Sequence, residues 1–266
     1  MNSNRINTLD NYLKKFNNAD ELDIKSLWQE MDRVWEEHGL NNRTNLSKQN
    51  IEAFYSHPVW ILNGIFSEKD PISKSHRVAI AKYLNHLPTK ISVADLGGGS
   101  GVLAQTIMQN TQQLSKLHII EPWAFDYFKS KFSTNPKIEY LDDFSKEGYD
   151  VVIAQDVLEH VEDPINAVIR CLNATHVGGY LIFANNFSPV IKCHLPTTFY
   201  LRHTFSFVLA SKGVQFIERI PGAEHALVFK KLAETNPKHL DTRNRIAKNI
   251  GPLLNFIGQI KALTKL

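Results

Sequence analysis

The sequence predicts an α/β fold: a mostly parallel sheet of seven strands covered by helices, with an antiparallel pair closing one edge. Three observations predict it. From Ile91 to Asn185, short apolar runs alternate with helical stretches. The strand segments there are apolar on both faces, as in sheets buried between helical layers. Further on, GVQFIERI and HALVFKKL are separated only by PGAE, the pattern of a hairpin.

Ahead of the sheet the chain reads as helical. Its first twenty or so residues are polar and Asn-rich, a frayed start or a short helix. Leu27, Met31, Val34 and Trp35 recur at helical spacing between Ile24 and His38, and Gly39 is a plausible stop. Ser47 can cap a helix toward Tyr55, and Pro58 can open another through Phe66. A third predicted helix, 76–87, places Ile80, Tyr83, Leu84 and Leu87 on one side, with Pro88 as its stop.

ISVADL is the first strand, followed by a glycine cluster and the helical stretch VLAQTIMQN. LHIIE is the second strand. A helix around WAFDYFKSKF precedes the strands IEYLDD and YDVVIAQ. The next helix starts at Pro164 and is expected to run to Gly178–Gly179, before the strand YLIFAN. Residues 186–212 break the rhythm with two prolines and Phe187, Phe199, Tyr200, Phe205 and Phe207. They read as an inserted substrate-facing segment with a helix near Tyr200–Ser211. In the tail, Ile246, Ile250, Leu253, Leu254 and Ile257 follow helical spacing, with a break expected at Gly251–Pro252. The expected organisation is a helical cap (1–88), a core (89–234) and a basic helical tail (235–266).

Charge and composition exclude some function classes. The net charge is only +3, but residues 230–266 hold eight Lys or Arg against Glu234 and Asp241, so the body is mildly acidic. No basic-aromatic cluster marks a nucleic-acid surface. The tail's apolar stripe suits dimerisation or loose membrane contact. The two cysteines, Cys171 and Cys193, suggest a reduced compartment. The first residues lack the apolar centre of a signal peptide, and no apolar run reaches the ~18 residues of a spanning helix. The expectation is a cytoplasmic protein without stable membrane insertion, with a homodimer allowed.

The stretch VADLGGGSGVLA is the most informative. Asp95 ends a strand, Gly97, Gly99 and Gly101 follow at alternate positions, and a helix begins. Glycine permits tight turns and close backbone approach. A ligand can then lie across the strand ends. The loop lacks the Lys of a phosphate-binding P-loop. It also lacks the third glycine of GxGxxG, because position 102 is Val. Glu121 ends the second strand, where a carboxylate can accept two ribose hydroxyls.

Asp95-Leu-Gly97-Gly-Gly99-Ser-Gly101 resembles the first motif, (D/E)xGxGxG, of the class I S-adenosylmethionine-dependent methyltransferases. The likeness spans about residues 90–232. It implies a Rossmann-like seven-stranded methyltransferase sheet with an antiparallel last strand, and S-adenosylmethionine as cofactor. By the same resemblance, Asp95, Gly97, Gly99 and Gly101 hold the methionine part and Glu121 the ribose. Trp123 then covers the adenine, Asp143 and Phe144 lie at its edge with Asp142 as a rival, and Gln155 stands beside the transferring methyl. AQDVLEHVEDP, residues 154–164, looks like the matching segment of quinone-biosynthesis and related small-molecule methyltransferases.

Transfer of a methyl from a sulfonium requires alignment, and a hydroxyl acceptor also needs a base. His160, His194 and His203 are the candidate bases or substrate contacts. Asn185, Asn186 and Tyr200 are further candidates to line an acceptor pocket. Asp156, Glu159 and His160 form a D-x-x-E-H group. Its E-x-x-E-H version accompanies a divalent metal in some relatives, but no resident metal is expected here. The leading reading is methyl transfer to a small organic acceptor, O-methylation slightly favoured. The alternative is a non-catalytic S-adenosylmethionine-binding regulatory or scaffold protein, and a dehydrogenase is third.

Overall fold

The computed structural model describes residues 23–42, 46–87 and 90–263. The expectations for the first twenty residues and for Pro88 lie outside them. Four helices come first: α1 (Ile24–Glu37), α2 (Lys48–Tyr55), α3 (Val59–Lys69) and α4 (Pro71–Leu84). Each start has a local cause. The Asp23 carboxylate accepts from the backbone N–H groups of Lys25 and Ser26, and the Ser47 hydroxyl accepts from Asn50 N–H. α4 begins earlier than apolar periodicity indicated. Asp70 accepts from Ser73 N–H at 2.7 Å and Pro71 occupies the first turn, so capping sets its start.

Beyond them run β1 (Ile91–Leu96), α5 (Val102–Asn110), β2 (Leu114–Ile120), α6 (Asp126–Lys131), β3 (Ile138–Leu141) and β4 (Tyr149–Gln155). A short 3-10 turn (Leu158–His160) leads to α7 (Pro164–Ala174) and β5 (Thr175–Ala184). A second 3-10 segment (Pro196–Arg202), α8 (Phe205–Leu209), β6 (Val214–Ile220), β7 (Ala223–Lys231) and α9 (Pro237–Leu263) complete the described chain. The seven strands form one sheet in the order β3-β2-β1-β4-β5-β7-β6. β1 to β5 are parallel, and β7 pairs antiparallel with both β5 and β6. Chain order reverses between β1 and β4, which opens a crevice beyond their carboxyl ends.

One sheet face is covered by α4 and α5, through Ile80, Leu84, Leu103 and Ile107. The other is covered by α7, α8 and α9, through Val168, Leu172, Phe205 and Leu240. A third cluster joins α1, α2 and α3, and Cys193 and Leu195 of the inserted segment complete it. Asp32 of α1 accepts from Lys192 N–H at 2.7 Å, and Asn42 donates to Lys192 O at 2.8 Å. The insert thereby fastens the cap helices. Both cysteines are buried and unpaired.

Three expectations require correction. α7 stops at Ala174, not at Gly178–Gly179. Its last turn is closed by the buried Lys231, whose Nζ donates to Leu172 O and Thr175 O at 3.0 and 2.9 Å. The two glycines sit instead inside β5, where the register against β4 shifts between Tyr149 and Val151. Residues 200–211 do not form one helix either, since the 3-10 segment ends at Arg202 and α8 begins at Phe205.

The last correction concerns α9, which runs unbroken through Gly251–Pro252. Pro252 removes one backbone donor, but tertiary bonds hold the helix on both sides of it. The Tyr200 hydroxyl donates to Asn244, Arg243 donates to Phe207 O and Ala210 O, and Asn255 donates to Phe199 O. Gly251 lets the helix lie directly on the backbone of Tyr200, where a Cβ would overlap the Tyr200 carbonyl. Gly251→Ala is therefore expected to lower stability by about 1–3 kcal/mol, read as a fall in Tm of several degrees by calorimetry.

Candidate active site

β1 and β2 are buried and parallel, so their carboxyl ends deliver Asp95 and Glu121 side by side. Asp95 is 1% exposed and Glu121 is largely buried. Glu121 is held by backbone donors: Oε2 accepts from Gly99 N–H and Oε1 from Trp123 N–H, both at 3.2 Å. The glycines between the strands follow from this closeness. Gly97, Gly99 and Gly101 all have positive φ, at 67°, 50° and 75°. A Cβ on Gly98 would come within 2.6 Å of Asp95 Oδ2, and one on Gly101 within 2.5 Å of Phe132. Tyr140 steadies the loop by donating to Gly99 O at 3.1 Å.

These groups border a cavity of about 470 Å³, within the usual range for small-molecule sites. The loop, Glu121 and Trp123 form one side, and Gln155, Asp156 and His160 form the floor beyond β4. The opposite wall comes from the cap helices. Tyr55 stacks on Trp123 with ring centroids 5.2 Å apart, and on Trp60 at 5.0 Å. Trp60 in turn meets the edge of His160 at 6.2 Å. Four cavity-lining atoms are buried without a hydrogen-bond partner: Asp95 Oδ2, Gln155 Oε1, Tyr55 Oη and Trp60 Nε1. Unmet polar groups of this kind are costly, and a polar ligand in the cavity would satisfy them.

Residues 73–199 match a family model described as a methyltransferase domain. Over that stretch the chain resembles methyltransferase domains. It is 27% identical over 180 residues to a ubiquinone biosynthesis O-methyltransferase of Erwinia tasmaniensis, covering 62% of this chain and 65% of that protein. A namesake from Aliivibrio fischeri is 28% identical over 133 residues, covering 47% and 56%. The matches thus span less than two thirds of either relative's length. An O-methyltransferase family protein from Burkholderia thailandensis shares the fold, with a TM-score of 0.51 and 13% identity over 79% of this chain and 71% of that one.

Several residues expected at the methyltransferase site lie elsewhere. Asp142, not Asp143, borders the cavity. Asp143 turns outward to pair with Arg170 at 2.7 Å, and Phe144 packs on Tyr149 in the core. His203 is exposed and lies against Gly258 of α9. Tyr200 is a core residue bonded to Asn244. Asn185 ties the floor loop, its Oδ1 accepting from Val157 and Leu158 N–H at 3.0 and 2.8 Å. The cavity also includes Arg77, whose buried guanidinium donates to Ser67 O at 2.7 Å. Arg77 lies at i−3 and i−7 from Ile80 and Leu84, so a cation on the apolar face of α4 was the available signal.

His160 of the floor, with Glu159 and His194 behind it, brings three ligand atoms, one from each residue, to within 4.8 Å of one another. The expected third member, Asp156, is not in this group. His194 Nδ1 lies 2.8 Å from Ser188 O, and His160 Nδ1 lies 3.1 Å from Cys193 O. Each Nδ1 is therefore the protonated nitrogen, and each Nε2 keeps its lone pair. Burial, then His194, pushes His160 down to about 3, so it is neutral at pH 7. Glu159 Oε1 accepts from Asn186 N–H at 2.7 Å, and its buried Oε2 has no partner. Burial, then the charge of Asp156, pushes Glu159 up to about 8, so two neutral imidazoles and a carboxyl group that must first lose its proton are the donors a divalent ion of borderline softness would find here.

Burial, and secondarily the charge of Glu121, pushes Asp95 up from 3.8 to about 8. Between those values the folded chain holds a proton that the unfolded chain releases. This group therefore lowers stability progressively as pH rises from about 4 to about 8. Asp95→Asn removes that penalty. Its Tm relative to the parent is expected to be higher at pH 8.5 than at pH 5, by an equivalent of up to about 4 kcal/mol, in thermal melts at both pH values.

Proposed function

We propose that this chain transfers a methyl group from S-adenosylmethionine to a hydroxyl of a small, largely apolar ring compound. The observation that carries the reading is the row of unpartnered polar atoms, Asp95 Oδ2 to Gln155 Oε1, along a cavity roofed by aromatic rings. When bound, S-adenosylmethionine supplies an electrophilic methyl on a positively charged sulfur. The glycine loop and Asp95 hold the amino-acid end, since a cation nearby favours the ionised carboxylate. Each Glu121 oxygen already accepts one backbone bond and has a second lone pair for a ribose hydroxyl. Trp123, kept flat by its stack on Tyr55, covers the adenine, and Asp142 lies at the ring's edge in place of Asp143.

The acceptor's place is the end of the cavity between Gln155, Asp156, His160 and the Tyr55–Trp60 stack. Flat aromatic walls orient a planar ring, and orientation supplies much of the acceleration in such displacements. The neutral His160 with its free Nε2 accepts a hydrogen bond from the acceptor hydroxyl. With a pKa near 3 it positions that hydroxyl and does not hold its proton at neutral pH. The names of the Erwinia and Aliivibrio relatives support oxygen as the methylated atom and a quinol-like ring as the acceptor class.

Calorimetric titration with S-adenosylmethionine and S-adenosylhomocysteine, with NAD as control, tests the cofactor. Micromolar binding of the sulfur compounds is expected, weakened at least about tenfold by Glu121→Ala in a folded variant. Transfer of labelled methyl to catechols and hydroquinones, compared with aromatic amines, tests the acceptor. Tyr55→Ala is expected to lower kcat/KM by about 10-fold to 100-fold. Binding of NAD alone would sink the proposal, and cofactor binding without transfer to any acceptor would favour a regulatory protein.

A further inference from the structure

α9 lies outside the matched domain and is apolar on two opposite sides. Its inner side, with Leu240, Ala247 and Gly251, is buried against the body. Its outer side exposes Ile246, Ile250, Leu253, Phe256, Ile257 and Ile260, with Leu253 and Phe256 each 59% exposed. Apart from Phe256, these residues follow one another at intervals of four, three, four and three, so they form a continuous stripe along four turns. Nothing in the fold of the described residues covers it. A run of six large apolar side chains on one exposed face exceeds the scattered exposure normal for surfaces.

The charges beside the stripe select its occupant. Lys238 and Arg245 share a helix row with Phe256, seven and eleven residues apart. Arg243 and Lys261 share the opposite row with Ile250 and Ile257. Lys248 is exposed on the same helix, and Asp241 is its one acid. From neighbouring elements, Arg202 and His203 are exposed beside this helix, His203 lying against Gly258. Phe207, 39% exposed and lying under the Arg243 guanidinium at 5.0 Å, extends the apolar surface. A second copy of α9 would bring basic rows against basic rows without acids to answer them. An anionic bilayer answers both features, since acyl chains take the stripe and headgroup phosphates take the flanking Lys and Arg.

We propose that the outer face of α9 docks the protein, peripherally, on the surface of an anionic phospholipid membrane. Docking of this kind needs no spanning segment, and no helix among the described residues is long and apolar enough to cross a membrane. The site is separate from the cavity, so docking and cofactor binding can be read independently.

The test is flotation of the full chain with vesicles of phosphatidylcholine alone and of phosphatidylcholine with about one third phosphatidylglycerol. Sedimentation velocity without lipid runs in parallel. The expected result is a monomer that floats with the anionic vesicles at least about tenfold more than with the neutral ones. Raising the salt, or the double variant Lys238→Glu, Arg245→Glu, should weaken the anionic binding. Leu253→Glu with Phe256→Glu should abolish it while leaving Tm and S-adenosylmethionine binding unchanged, because both side chains point away from the body. Phe256→Trp gives a second readout, a blue shift of emission on vesicle addition. Equal binding to both vesicles, no binding to either, or a dimer that Leu253→Glu dissolves would each overturn the proposal, the last by assigning the stripe to a second copy.

Discussion

Asp95 and Glu121 must share a nearly dry space at the ends of adjacent parallel strands, and the rest of the site is arranged around that. No basic side chain neutralises the pair within hydrogen-bond distance among the described residues. The donors that reach Glu121 are peptide N–H groups. Peptide donors reach a carboxylate only if the loop carrying them lies flat against it, so side chains are excluded from the loop's inner surface. The glycines at 97, 98 and 101 are demanded by what each would strike: Val157, Asp95 and Phe132. Gly99 has open space around it and is demanded by its backbone angle instead.

Dryness itself comes from elsewhere in the chain. The stack of Trp123, Tyr55 and Trp60 closes the crevice, and two of those rings belong to cap helices that precede the sheet. The cap in turn is completed by the inserted segment, which contributes Cys193 and Leu195 to its core and Lys192 to its edge. That segment also supplies the carbonyls that set the tautomers of His160 and His194. Cap, insert and floor loop are therefore one mechanical unit. A change in the insert would be felt at the floor without touching any ligand.

The sheet was legible because burial on both faces writes itself as apolar runs, and the glycine loop because its spacing is a direct image of backbone geometry. Asp95, Glu121 and His160 could be placed on the crevice from strand ends, and Trp123 and Gln155 through the resemblance to methyltransferases. The failures have physical reasons of a different kind. Asp142 and Asp143 differ by one turn residue, and only the pull of Arg170 on Asp143 decides between them. Gly178–Gly179 signals a helix end or a strand irregularity equally well, and the distant Lys231 settles which. Pro252 should break a free helix, yet side chains on both sides of it grip the body. Arg77 was passed over because a charge on an apolar face reads as noise until its pocket is known.

The parallel order β3-β2-β1-β4-β5 has one more consequence. Every residue that borders the cavity from the sheet comes from the carboxyl-terminal edge, and the turns at 133–137 and 145–148 emerge at the other. The two edges therefore carry different structural constraints. On one, a single-residue slip exchanges Asp142 for Asp143. On the other, length and composition can drift, loops can accept insertions, and tags or fused domains can be attached, with the only toll levied on packing. Diversity among relatives of this chain should accumulate on the side of the sheet that faces away from the ligand.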